Sequence, residues 1–140
     1  MITTDEIINF LKDLSAADKI YPDSDLFEDI GIIGDDFKEM IDKFAGKYSV
    51  DMKNYLWYFH NVDEGSGNFG GLFFKAPYNR VERIPITPLL LTDIANKRKW
   101  DIDYPAHKIP KKRYDLLINS ILIGLFLIFV VVISIKKCAT

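Results

Sequence analysis

Apolar positions follow a helical stripe in three stretches of the chain, then fill one uninterrupted run near its C-terminal end. In the first stretch, Ile7, Ile8, Phe10, Leu11 and Leu14 recur at the spacing of one helix face. Thr3 with Glu6 three positions later is the signature of a capping box, so a first helix is predicted from Thr3 to Leu14. Tyr21-Pro22-Asp23-Ser24 marks a turn. In the second stretch Phe37, Met40, Ile41 and Phe44 share a face, which predicts a helix from Asp35 to Lys47 whose apolar surface Tyr48 and Val50 continue. Asp35 and Asp36 stand at its start, where carboxylates meet unpaired amides and the positive end of the helix dipole. Thr87-Pro88 opens the third, with proline at the first helical position, Leu90, Leu91, Ile94 and Ala95 on the apolar face, and Lys97, Arg98 and Lys99 at the end where cations are favoured.

The segments between are less regular. The aromatic run Tyr55-Leu56-Trp57-Tyr58-Phe59 reads as a short helix or a strand, with a short helix favoured, and is expected to serve the core. Residues 65–71 are expected to be a flexible glycine-rich loop, and Leu72 to Ile86 irregular or partly extended. Asp101 to Pro110, with two prolines, reads as a linker. No internal repeat is present.

Leu116 to Ile135 is a run of twenty residues without a charge. At 1.5 Å rise per residue, such a helix spans about 30 Å, the hydrocarbon thickness of a bilayer. A single segment in lipid satisfies its backbone only as a helix. The expected organisation is therefore a domain over 1–100, a basic juxtamembrane linker over 101–113, a transmembrane helix over 114–136 and a short tail over 137–140.

Charge divides the chain unevenly. Residues 1–64 carry 15 acidic and 6 basic side chains, a net of −9, whereas residues 65–140 carry 5 acidic and 12 basic ones, a net of +7. The acidic half speaks against a nucleic-acid partner. The basic half concentrates at Lys108, Lys111, Lys112 and Arg113, a cluster suited to anionic lipid headgroups and to the cytoplasmic flank of a span; only Lys136 and Lys137 stand on the other side. The start MITTDEIINF has no basic region followed by a long apolar run, so no signal peptide is expected. Localisation is expected at a bacterial inner membrane, single-pass and tail-anchored, with the domain in the cytoplasm.

Motifs that carry chemistry are weak. Gly65-x-Gly67-x-x-Gly70 matches a dinucleotide fingerprint as text, but Leu72-Phe73-Phe74-Lys75-Ala76-Pro77 follows where a helix is required. Asp23, Asp25, Glu28 and Asp29 begin like a calcium loop, yet Phe27 and Glu28 occupy key places, and a solvated acidic face is the default. His60 and His107 have no cysteine or acidic neighbour at zinc-ligand spacing. Cys138 is the lone cysteine, placed beside the apolar run where acylation is conceivable, and idle by default. No nucleophile elbow or Walker loop occurs, so no enzyme activity, metal, cofactor or small-molecule substrate is expected.

Leu26 to Asp51 resembles the heart of an acyl carrier protein. Gly31 falls on that family's turn glycine, Glu39-Met40 on its Glu-Leu pair, and Phe44, Tyr48 and Val50 on the core positions that follow; Ile86-Thr87 and the helix after it resemble its last helix. Carriers attach phosphopantetheine to a serine hydroxyl, and here that position is Gly34, preceded by Ile33 in place of aspartate. Gly31-x-x-Gly34-Asp35-Asp36, the Tyr58-Phe59 pair and a late helix ending in a basic residue and Trp100 resemble a narrower group, an uncharacterised acyl-carrier-protein-like family of small bacterial proteins, over residues 3–100. The resemblance implies an all-α, acyl-carrier-like four-helix bundle with an irregular insertion, here joined to one C-terminal transmembrane helix. It also implies a use for the second helix, since carriers present it to basic patches on partner proteins. A non-catalytic adaptor is therefore expected, tethered to membrane lipid and docking a basic protein partner through Asp35, Asp36, Glu39 and Asp42. Two alternatives remain: a carrier modified at another serine, such as Ser66, and a small regulatory or protective membrane protein that binds a toxin or transporter.

Overall fold

The computed structural model describes residues 1–62 and 69–138. Among them the chain is all-α, with four α-helices, three short 3-10 turns and no strand. Its contacts divide it into two compact units, one formed by residues 1–64 and 81–107 and the other by 65–80 and 108–140.

The first unit is built on three helices. Helix α1 (Thr4–Leu14) begins with the capping box read from the sequence: the Glu6 amide donates to the Thr3 hydroxyl at 3.3 Å, and the Thr3 amide donates to the Glu6 carboxylate at 2.8 Å. Ile7, Ile8, Phe10 and Leu11 are its buried face. Helix α2 (Gly34–Tyr48) buries Phe37, Met40, Ile41 and Phe44, and ends where Ser49 turns into the left-handed region at φ 53°. Helix α3 (Pro88–Lys97) starts at the Thr87 cap, whose hydroxyl accepts the Leu90 amide at 3.2 Å, and ends at Arg98, also at φ 53°. The rings of Phe10, Phe44 and Tyr48 meet with centroids 5.2–6.3 Å apart, and Trp100 fills the core at 0 % exposure.

Long-range backbone bonds close this unit. The Leu26 amide donates to Ile86 and the Leu89 amide to Pro22, both at 2.9 Å, tying the α1–α2 connection to the approach of α3. Asp51 and Lys99 form an isolated parallel bridge, with the Trp100 amide donating to Asp51 at 2.9 Å. The Asn96 side chain clasps the start of the chain, accepting the Ile2 amide at 2.9 Å and donating to the Ile2 carbonyl at 2.8 Å.

Two expectations change here. The short helix at 55–59 is a single 3-10 turn over Trp57–Phe59, so three α-helices and one turn stand where four helices were expected. The 101–110 segment is irregular but is more than a linker, because Ile102 and Tyr104 pack against the core. Tyr104 does so with its hydroxyl fully used, as described below.

In the second unit, helix α4 runs from Tyr114 to Cys138 and is long and apolar enough to cross a membrane, with none of its apolar window buried. Its hydroxyls turn inward on their own helix: Ser120 donates to the Leu116 carbonyl at 3.0 Å and Ser134 to the Val130 carbonyl at 2.9 Å. Of the glycine-rich 65–71 loop, residues 65–68 lie outside the described residues. Gly70 and Gly71 belong to a 3-10 turn, Phe69–Leu72, packed on the first turns of α4. Gly70 is forced here by close approach, since a Cβ would collide with the backbone carbonyl of Asp115. A second 3-10 turn covers Pro77–Arg80.

Candidate functional site

The chain enters α2 through two left-handed glycines, Gly31 at φ 78° and Gly34 at φ 58°. A side chain in that conformation costs about 1–2 kcal/mol, so the backbone itself calls for glycine at 34. Gly34 is buried, and Asn61 grips both of its polar groups: its amide donates to Asn61 Oδ1 at 2.9 Å, and its carbonyl accepts from Asn61 Nδ2 at 2.8 Å. Ile33 supplies no side-chain cap to the helix, so a residue 27 positions away does this work. The glycine at 34 is visible in the sequence; the clasp that closes the position is not.

Beside Gly34 lies an open groove of about 540 Å³. Asp35, Lys38 and Asp42 form one wall, Tyr55 and Trp57 the other, with Ile41, Asn61 and Val62 completing the lining. The aromatic run is thus divided in use, for Phe59 is buried in the interior at 1 % exposure while Tyr55 and Trp57 line the groove.

Asp35, Asp36, Glu39 and Asp42 are all exposed on α2, but they are not equivalent. Lys38 pairs with Asp42 at 3.0 Å, and Lys43 with Glu39 at 2.6 Å. The hydrogen bond that Lys38 donates to Asp42 raises the Lys38 pKa, and the one that Lys43 donates to Glu39 lowers the Glu39 pKa. Asp35 and Asp36 have no ion pair among the described residues. The free negative charge of the helix therefore gathers at its N-terminal end, next to the groove.

Of the acids expected to form a solvated face, Asp25, Glu28 and Asp29 are engaged within the fold. Arg83 forms a two-pronged bond to Asp25, one arm at 3.1 Å, and reaches Glu28 at 2.7 Å, with its guanidinium 4.9 Å from the Phe27 ring centre. Asp29 accepts the Asp25 amide at 2.7 Å. These bonds brace the connection that delivers Gly31 and Gly34, and Asp25 and Glu28 raise the Arg83 pKa.

His60 anchors a buried polar chain. Its Nδ1 lies 2.9 Å from the Ile84 carbonyl and its Nε2 lies 2.8 Å from the Tyr104 hydroxyl. Trp100 Nε1 and the Leu56 amide donate to that same hydroxyl at 2.8 and 3.3 Å. The pattern assigns a neutral His60 that donates from Nδ1 and accepts from Tyr104 at Nε2, leaving no group unmatched. Burial lowers the His60 pKa to about 4 and raises that of Tyr104, so both stay uncharged at neutral pH. His107 is exposed and bonds Tyr58 at 2.8 Å. No group of three or more metal-ligating side chains occurs among the described residues.

Of the basic flank of α4, Lys108, Lys111 and Lys112 are exposed, whereas Arg113 turns onto buried Asp115 at 2.6 Å. Ser66 lies outside the described residues.

The first unit is thus an all-α domain with a closed position at Gly34 and a free acidic helix end. Residues 2–103 match the model of a family described as "Protein of unknown function (DUF1493)". The chain belongs to that family. No curated protein and no solved structure matches it.

Proposed function

We propose that this protein is a membrane-tethered, non-catalytic docking module with an acyl-carrier-like domain. The reading rests above all on the surroundings of Gly34. A carrier needs a side-chain hydroxyl there; this chain has a buried, left-handed glycine with both backbone groups held by Asn61. Just beyond it, Asp35 and Asp36 are exposed and without ion pairs among the described residues, available to a basic protein surface. The order of first helix, second helix, short turn and last helix is compatible with the acyl-carrier resemblance. Docking centres on Asp35 and Asp36, with Glu39 and Asp42 as a paired fringe. Surface ion pairs are individually weak, so capture of the partner is transient and salt-sensitive. In this reading α4 crosses the inner membrane, and Lys108, Lys111 and Lys112 face anionic lipid on the cytoplasmic side.

The test is photo-crosslinking of the full-length protein in its own membranes, with the reactive group at Lys38, one turn from Asp35, or, as a control, at Lys12 of α1. The expected result is a discrete protein adduct from position 38 alone. It should disappear with Asp35→Lys and in 1 M salt, where the screening length falls to about 3 Å. Equal adducts from both positions, or an adduct indifferent to Asp35→Lys, would overturn the proposal. Intact mass serves alongside: a phosphopantetheine adduct would return the protein to the carriers.

A further inference from the structure

Residues 69–80 join the beginning of α4 in a way that a simple single-helix anchor would not require. Asn119 is the one amide side chain in the apolar run, and its Oδ1 accepts the Gly70 amide at 2.8 Å. It stands five residues past Tyr114, about 7.5 Å along the helix axis. The Phe69–Leu72 turn therefore lies beside the first turns of the apolar run rather than before it.

The side chains of this segment point outward. Phe69, Leu72 and Phe73 are 64 %, 80 % and 71 % exposed, and Leu116 and Leu117 in the first turn of α4 are also exposed, at 45 % and 54 %. Such a patch in water marks an interaction surface. The backbone is prepared for a medium without hydrogen-bonding partners: the Phe73 and Phe74 amides both donate to the Gly70 carbonyl, at 3.1 and 2.8 Å, while the Gly70 amide is taken by Asn119. The Phe74 and Tyr114 rings meet at a tilt with centroids 5.5 Å apart, and exposed Lys75, Arg80 and Lys112 line a small pocket together with these two rings. Aromatic rings beside a basic rim are the composition of a bilayer interface facing anionic headgroups.

We infer that residues 69–74 form a second lipid-contacting element, a wedge that enters the same leaflet as the N-terminal end of α4 and is held there by Gly70 and Asn119. The occupant of this apolar surface is the bilayer. The inference rests on the reading of α4 as a membrane helix. It assigns Asn119 a task within the apolar run, satisfying the wedge's leading amide.

The test uses full-length protein carrying Cys138→Ser, reconstituted in vesicles of phosphatidylcholine and phosphatidylglycerol. Single cysteines at Leu72, Phe73, Ile128 and Lys12 receive a nitroxide, and collisions with oxygen and with a water-soluble nickel chelate are measured. The expected result is loss of nickel accessibility at Leu72→Cys and Phe73→Cys while oxygen accessibility is kept, with full nickel accessibility at Lys12→Cys. Gly70→Ala, which drives a methyl into the Asp115 backbone, should restore nickel accessibility at position 73 and leave position 128 unchanged. Nickel-accessible 72 and 73 beside a nickel-protected 128 would overturn the wedge and leave the anchor standing. A nickel-accessible 128 would overturn the anchor itself. Protection of 72 and 73 from both reagents would assign the surface to a protein contact and overturn the lipid assignment.

Discussion

Helices α1 and α4 both carry large aliphatic and aromatic side chains, and the fold treats them in opposite ways. Ile7 and Leu11 of α1 are completely hidden, while Phe126, Ile128 and Phe129 of α4 remain 64 %, 62 % and 61 % exposed. The difference lies in arrangement. In α1, Asp5, Glu6, Lys12 and Asp13 occupy the faces left by the apolar stripe, so one side has to find a core and the other seeks water. In α4 every face is apolar, and no side is distinguished for packing. Long-range polar matches occur in both regions, His60 with Tyr104 in the domain and Asn119 with Gly70 at the start of α4, while Ser120 and Ser134 of α4 bond within their own helix.

The sharpest way to separate the two regions is to make the same kind of truncation in each. Leu11→Ala should lower the stability of the domain by about 2–5 kcal/mol, since it empties a site with no route to water. Ile128→Ala should leave it within about 0.5 kcal/mol. Urea unfolding followed by the fluorescence of buried Trp100 measures both, and a comparable loss from Ile128→Ala would break the comparison.

Acid should likewise act on one region. The His60 pKa is lowered to about 4 in the folded state by burial, against about 6.5 when unfolded. Between these values the unfolded chain binds more protons, so stability increases with pH. His60 therefore contributes stability that is fully present above pH 6.5 and is lost as pH falls through 4, by roughly 3 kcal/mol. Urea midpoints at pH 7 and pH 4 should register this decrease, and His60→Gln should flatten that part of the profile. An unchanged slope in the variant would assign the acid sensitivity elsewhere.

A smaller loss concerns the entry to α2. Gly34→Ala should cost about 1–2 kcal/mol from its positive φ alone, without altering the basic-partner surface at Asp35 and Asp36. Thermal melting measures the loss. A neutral result would mean that the Asn61 clasp yields easily.

What the sequence disclosed follows the range of each interaction. Thr3 with Glu6, and Thr87 with Pro88, are local signals whose partners lie within one helical turn, and both were legible. The apolar run of α4 needs no partner to be recognised. Gly31 was legible as a turn glycine before α2, but the clasp of Gly34 by Asn61 was not, because no short motif connects residues 27 apart. The same holds for Arg83 with Asp25, 58 positions apart, which turned part of an expected solvated acidic face into a brace. Counting acids on α2 overstated its free charge, since Lys38 and Lys43 stand one turn from Asp42 and Glu39 and pair with them. Tyr104 was read as linker because its local neighbours are prolines and charges, while its role comes from His60, Trp100 and Leu56.

The clasp of Asn96 on Ile2 has a consequence for how the protein is born. The two residues are separated by 94 positions, and α1 also packs directly on α3. At translation rates of about 5–20 residues per second, α1 waits roughly 5–20 s for its partner to be synthesised. During that interval Ile7, Ile8 and Leu11 have no complete core to enter. A chaperone that shields this stripe would act in the interval between the synthesis of α1 and that of α3.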